Sequence, residues 1–301
     1  MANTDNEHMG FVGLLILFGT VFGGFFMGGG GPMIGLFFHP NEYVVIVGAS
    51  IAALVIATPP KYLKMIITYG IKGLNMKDPS KADYMEGLQL MYELFQAQKK
   101  EGIQAIEGHI ENPEQSKIFT KYPHILHNHH ALDFICDSMR TFISGGPSPY
   151  DMDDLLTLDI EVAHMEEHKI PGQIQSTADG FPAIGIVAAV LGVIVTMGSI
   201  AAGPEVVGEK VAAALVGTFL GIFCGYGFVG PIAKRLEHYF EAEGVFYSSL
   251  KMGILANCRG LPPQISLEFA RRAIYPSERP SFKEMEEAFK NIAAAGVKKA
   301  A

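Results

Sequence analysis

Long charge-free apolar blocks alternate along this chain with charge-rich stretches of helical periodicity. Four blocks reach or approach the roughly 20 mostly apolar residues that cross a hydrocarbon core: Gly10 to Met27, Tyr43 to Thr58, Phe181 to Ala202 and Val211 to Ile232. The first stops at Gly28-Gly29-Gly30-Gly31-Pro32 and the second, which is short, at Pro59-Pro60; their closeness in sequence pairs them as a membrane hairpin. Between the second and third blocks, Asp83 to Ile110 carries Leu88, Met91, Leu94 and Phe95 at helical spacing. Ala131 to Ile143 continues with Leu132, Ile135, Met139 and Ile143, and Asp151 to His168 reads as an acidic amphipathic helix with Leu155, Leu156, Leu158, Ile160 and Val162. The tail adds helices at Leu236 to Ala256 and Ile265 to Ala273, and its end, Lys298 to Ala301, is expected to be disordered. The pattern predicts an all-α integral membrane protein with four transmembrane helices and a helical cytoplasmic domain. Its segments are a transmembrane hairpin over 1–59, a cytoplasmic helical domain over 60–180, transmembrane helices 3 and 4 over 181–232 and a cytoplasmic helical tail over 233–301.

Charge placement orients the spans. The stretch Gly28 to Glu42 has no lysine or arginine, and the connection between the last two spans has only Lys210. The segments 59–180 and 233–301 carry 11 each, which puts both large segments, and with them both termini, on the cytoplasmic side. The N-terminus carries Asp5 and Glu7 rather than a basic leader, so the first apolar run is expected to stay as an anchor in the lipid bilayer. Charged residues make up 18% and the net charge is −8, which argues against a nucleic-acid binder. Cys136, Cys224 and Cys258 lie far apart without the spacing of a disulfide framework or zinc site.

None of the four blocks contains an Asp, Glu, Lys, Arg or His in its interior. Membrane ion carriers usually place one there despite its cost, so an ion-conducting chain of this kind needs a partner to supply the carboxylate, and a non-conducting one is a scaffold. Small residues are unevenly placed. Pro182, Gly185, Ala189, Gly192 and Thr196 step along one face of the third span, and Gly217, Gly221 and Gly225 repeat at small-xxx-small spacing on the fourth, beside Ala214 and Thr218. Such faces serve either intramolecular packing or a seat for a partner helix. Thr218 and Tyr226 are the polar groups nearest this surface. Pro182 and Pro231 either mark helix boundaries or free a backbone carbonyl at a joint. His124, His127, His129 and His130 lack the cysteine or carboxylate companions of a metal site and read as a surface helix start. Gly28 to Gly31 has neither the preceding strand nor the following Lys-Ser/Thr of a phosphate loop and reads as a periplasmic turn, and Gly102 interrupts the helix between Lys99 and Glu107.

Several runs resemble the MotA-type stator family of the bacterial flagellar motor, within the MotA/TolQ/ExbB proton channel group. They are Gly19-Thr20-Val21-Phe22-Gly23-Gly24, Ile110-Glu111-Asn112-Pro113, Phe181 to Gly192, Val216-Gly217-Thr218-Phe219-Leu220-Gly221 with Tyr226-Gly227-Phe228 and Pro231, and Ser277-Glu278-Arg279-Pro280-Ser281-Phe282. The resemblance covers nearly the whole chain. The ExbB and TolQ relatives, which energise envelope transport, share the proline-containing third span but usually have three spans and lack the tail run.

The resemblance implies a homopentamer around two MotB subunits, whose transmembrane aspartate takes up the ion, in the bacterial inner membrane. It further implies that ion flow turns the rotor protein FliG, with no enzyme activity, cofactor or metal expected. By motif position, Pro182 and Pro231 match the family's two functional prolines, Tyr226 its channel-side tyrosine and Thr218 its fourth-span threonine. Sodium-driven relatives carry a threonine where this chain has Ala189, so protons are favoured over sodium as the transported ion. Glu107 matches the rotor-facing glutamate. Lys99, with Lys100 beside it, stands where the family has arginine, keeping the charge without the bidentate fork.

Overall fold

The computed structural model describes residues 5–38, 40–73 and 76–300. Residues 1–4, His39, Leu74, Asn75 and Ala301 lie outside it, as does any structural reading of them. The chain divides into two compact units. One holds the residues up to Lys77 together with Glu166–Tyr239, and the other holds Asp78–Met165 together with the residues from Phe240 on. These limits follow packing and so fall at 77, 166 and 239, whereas 59, 180 and 232 were read from span length.

The first unit contains α1 (Asp5–Met27), α2 (Pro40–Ala57), α3 (Pro60–Lys72), α9 (Lys169–Met197), α10 (Pro204–Cys224) and the start of α11 (Gly230–Cys258). Among the described residues, four helical runs are long and apolar enough to cross a membrane; they contain the first and fourth blocks of the sequence pattern and all but the ends of the second and third, which run on to Thr58 and Ala202. The chain alone buries little of them. Leu15, Ile16 and Met27 on α1 and Ile186, Val190 and Ile194 on α9 are exposed, as expected of surfaces facing lipid or another helix. α1 stops where Gly29 takes φ +85° and Gly30 passes under the Phe25 ring, leaving no room for a Cβ. A 3-10 stretch, Gly31–Phe38, leads to α2, which starts on Pro40, a residue whose missing N–H costs nothing in a first turn. α1 is tied to α10 by a ladder of rings: Phe18 lies 5.5 Å from Phe223 and Phe22 5.8 Å from Phe37, which in turn meets Phe219 at 5.4 Å. Each such pair contributes about 0.5–1.5 kcal/mol beyond its burial. α3, absent from the sequence reading, starts after Pro59 and packs on α9. Gly73 beyond its end admits Leu236 of α11, and Lys61 pairs with Glu166.

The second unit is built on α4 (Lys81–Glu101), whose Ser80 and Asp83 form a reciprocal capping box. Its buried face, Leu88, Met91, Leu94 and Phe95 among others, meets α7 (His129–Gly145) through Leu132, Ile135 and Met139, and α11 through Phe246, Leu250 and Ile254. α8 (Pro149–Glu167) departs from the single apolar face expected of it. Met152 and Leu156 are buried, whereas Leu155, Leu158 and Val162 are exposed. The expected tail helices appear as the end of α11 and as α12 (Pro263–Ala273). A further helix, α13 (Phe282–Ala300), runs through most of the end expected to be disordered. Met285 and Phe289 anchor it, with the Phe289 ring stacked 4.1 Å from Tyr92. The tail run from Ser277 to Phe282 is a structural clasp. Arg279 donates to the carbonyls of Ile274 and Arg272 at the end of α12, Arg271 donates to the Pro280 carbonyl, and Ser281 and Glu284 cap α13.

Candidate functional site

The site lies along α9 and α10, the most closely packed pair of helices in the first unit. Their glycine rows face each other. A Cβ on Gly221 would stand 2.6 Å from the Phe181 oxygen and 2.8 Å from the Gly185 Cα. One on Gly185 would stand 2.9 Å from the Gly217 oxygen, and one on Gly192 2.6 Å from the Ala214 Cβ. Between the two uses open to these glycines, intramolecular packing is the one observed: backbone meets backbone along the seam.

Pro182 lies in the interior of α9, so it marks no boundary. Having no N–H, it leaves the Ala178 carbonyl without its intrahelical donor. That oxygen occupies the space where a Cβ on Gly225 would sit, at 2.5 Å, with Pro182 Cδ 3.3 Å from the same point. Gly225 opens a π-helical turn, Gly225–Val229, closed by the Gly230 N–H donating to the Gly225 oxygen. Such wide turns are uncommon and mark irregular, often functional, points in a helix. Here the turn lets α10 run into α11 past Pro231, which follows at once as the second residue of α11. Pro182 thus frees a carbonyl inside a continuing helix, and Pro231 follows directly on the π turn.

The predicted site residues fall at two levels of this pair. Gly217 packs against Ala188 and the Ala189 nitrogen, so Thr218, its neighbour, shares a level with Ala189; both are half-buried. Gly225 touches Pro182, so the exposed Tyr226 shares a level with Pro182. Pro231 is exposed just beyond. Val211, Leu215, Thr218, Ile222 and Tyr226 recur at helical spacing, and all but the half-buried Thr218 are exposed. They make one open face along α10 and the π turn that follows it, carrying two hydroxyls.

α2 begins at Pro40, three residues before the apolar block read from Tyr43, so Glu42, counted with the preceding connection, lies in the first turn of the helix. Its Oε2 is 2.8 Å from the Cβ position of Gly217, and its Oε1 3.7 Å from that of Gly192. A carboxylate of this chain thus reaches the α9–α10 seam. The signal was present in Pro40-Asn41-Glu42, a proline followed by an acid at a helix start, but apolar-block counting began at Tyr43.

The other predicted residues lie in the second unit. Lys99 and Lys100 are exposed in the last turn of α4, where cations suit the negative helix end. Gly102, at φ +92°, stops α4, and a 3-10 turn leads to α5 (Glu107–Glu111), which Glu107 opens, exposed, over buried Ile106 and Ile110. Lys99 also lines a hollow of about 210 Å³ with Gln98, Asn257 and Pro262. The histidines make local contacts: His124 lies 3.3 Å from Asp83, and His127 Nδ1 is 2.7 Å from the Pro123 oxygen. Burial pushes the Cys136 and Cys258 thiols up to about 12, so both are inert thiols at neutral pH.

Residues 11–102 match the family described as motility protein A N-terminal, and residues 127–245 match the MotA/TolQ/ExbB proton channel family. Motility protein A of Escherichia coli (strain K12) is 38% identical over 277 residues, covering 92% of this chain and 93% of the relative. The chain belongs to the motility protein A family. It is homologous to MotA, the stator protein of the flagellar motor, within a proton channel family. Chemotaxis protein LafT of Vibrio parahaemolyticus is 32% identical over 280 residues, 92% of this chain and 96% of its own length. Two solved structures share the fold. That of C. jejuni MotAB has a TM-score of 0.74 at 15% identity and covers 91% of this chain and 99% of its own. The flagellar MotAB stator complex from Bacillus subtilis has a TM-score of 0.67 at 22% identity and covers 86% and 92%.

Proposed function

We propose that this chain works as a stator subunit that conducts protons together with a MotB-type partner and turns their flow into torque on a FliG-type rotor. The observation that carries the reading is the open face of α10, with Thr218 level with Ala189 and Tyr226 level with Pro182. A partner helix laid on that face would bring its aspartate to a hydroxyl-bearing, otherwise apolar wall. Ala189 supplies no oxygen at that level, which favours H+ over Na+. Transfer of a charge down the membrane potential releases roughly 2.3 kcal/mol per 100 mV. The Pro182 and Pro231 joints are the points at which this energy would bend α9 and α11.

The exposed apolar surfaces of α1 and α9 support self-association, read here as a homopentamer in the inner membrane with both termini cytoplasmic. Lys99, Lys100 and Glu107 would face the rotor, engaging it by charge steering rather than bidentate pairing. The four candidate spans favour this reading over an envelope-transport energiser of the three-span type.

Pro182→Leu tests the joint, because leucine restores an N–H for the Ala178 oxygen. The expected result is loss of swimming while the variant still co-purifies with its partner from membranes. Normal swimming would remove the mechanical role of the joint.

A further inference from the structure

We propose that Glu42 is a second proton-carrying carboxylate of the pathway, supplied by this chain itself and acting before the partner's aspartate. The proposal rests on the stator reading above.

Glu42 is half-buried, and its two oxygens fill the space opposite Gly192 and Gly217 where side chains would otherwise stand. The two glycines therefore make room for a carboxylate as well as for each other's helices. Through Gly217 it adjoins the level of Ala189 and Thr218, where the partner's carboxylate is proposed to work. A second observation follows the same face of α2. Glu42, Ile46 and Ser50 recur at every fourth residue, and Ile46 and Ser50 are 1% exposed. The Ser50 hydroxyl is buried without a hydrogen-bond partner among the described residues. The proposal assigns a water to that hydroxyl. Just past the end of α2, Thr58 Oγ1 lies 3.4 Å from Gln173 Oε1 of α9. Polar side chains thus recur from Glu42 through Ser50 to Thr58 on and just past α2.

The ionisable groups on the elements packed against α2 can be read from the sequence. α9 has none between Gly180 and Met197. α10 has Glu205, Glu209 and Lys210 in its first turns, with Lys210 Nζ 2.5 Å from Ser199 Oγ. His39, outside the described residues, precedes Glu42 by three positions in sequence.

In the proposed step, the Glu42 carboxylate accepts H+ from water on the entry side and becomes the neutral acid. It then releases that proton, through water held at the seam, to the partner's aspartate and returns to the carboxylate. One O–H bond forms and the same bond breaks, and no electrons are exchanged.

The test is proton uptake into vesicles holding the complex co-purified with its MotB-type partner, read by an enclosed pH dye. Glu42→Gln keeps the shape against the two glycines and removes the titration. It is expected to lower uptake by about a hundredfold or more, the lower end of what a positioned proton-transfer group contributes, with assembly unchanged. Glu42→Asp is expected to restore uptake with a shifted external pH for half-maximal flux, a readout that packing alone would not move. Ser50→Ala, which leaves the carboxylate in place, is expected to lower uptake severalfold, and it decides the matter if Glu42→Gln fails to assemble. Parental uptake and pH dependence in Glu42→Gln, or parental uptake in Ser50→Ala, would overturn the proposal while leaving the stator reading intact. A parental complex that carries no protons would overturn both.

Discussion

Replacing Gly221 by alanine tests the seam on which the site depends. The added Cβ would stand 2.6 Å from the Phe181 oxygen, 2.8 Å from the Gly185 Cα and 3.2 Å from the Gly185 nitrogen. All three are backbone atoms of α9, so no side chain can swing aside. Ordinary contact begins near 3.4 Å, so the helices must part by about 0.8 Å. A gap of that size forfeits roughly a quarter to a half of each dispersion contact along the seam. Overpacking of this kind costs about 1–3 kcal/mol, against a gain of at most about 1 kcal/mol from alanine's helix propensity. Gly208→Ala, on the same helix but with nothing within 4 Å of its Cβ position, collects only the gain. The two variants are therefore expected to move in opposite directions. The assay is loss of helical circular dichroism from the detergent-purified chain, compared as half-lives at one temperature, since unfolding of such a chain is read as a rate. Gly221→Ala outlasting the parent would refute the backbone-to-backbone seam.

Gly225→Ala meets the Ala178 oxygen at 2.5 Å and is expected to shorten the half-life in the same assay. The double variant with Pro182→Ala, which returns an N–H to that oxygen, should recover part of the loss, whereas strictly additive losses would count against coupling through the freed carbonyl. In the second unit, the hydrogen bond from Arg271, aided by Arg272, holds the Glu268 carboxyl down at about 2 from its ordinary 4.5. A depressed carboxyl stabilises fully above its ordinary value and loses that contribution as pH falls from 4.5 toward 2. α12 should therefore gain hydrogen exchange across that window in the parent, and Glu268→Gln should lack that part of the pH dependence. An unchanged pH profile in the variant would sink the assignment.

The fold was legible where one physical signal dominates. The apolar blocks at 10–27 and 211–232 outrun any soluble helix, and Leu88, Met91, Leu94 and Phe95 keep a clean helical period onto a single core. α3 was missed because its apolar residues interleave with Lys61, Lys64 and Lys72, so that block counting passes over it. α13 was missed because its apolar anchors are sparse and its clasp is made by Arg279 and Arg271 through backbone carbonyls. The site was half legible. Residue types and the family resemblance singled out Pro182, Thr218, Tyr226 and Pro231 as candidates, but glycine spacing alone cannot tell which partner a small-residue face meets. The structure turns those glycines inward, onto each other. Glu42 escaped because its role depends on the third dimension: a first-turn side chain reaching across to two glycines on other helices. The π turn at Gly225 has no periodicity signal and follows from accommodating Pro231 in a continuing helix.

The central claim, a proton-driven stator subunit, is tested most directly by swimming speed in a strain whose sole stator is this chain with its cognate partner. Sodium is first removed, and a protonophore is then added. The account predicts speed that survives the removal of sodium and collapses with the protonophore. Speed that instead follows sodium would contradict the proton assignment drawn from Ala189, and motility that is never restored would contradict the stator reading itself.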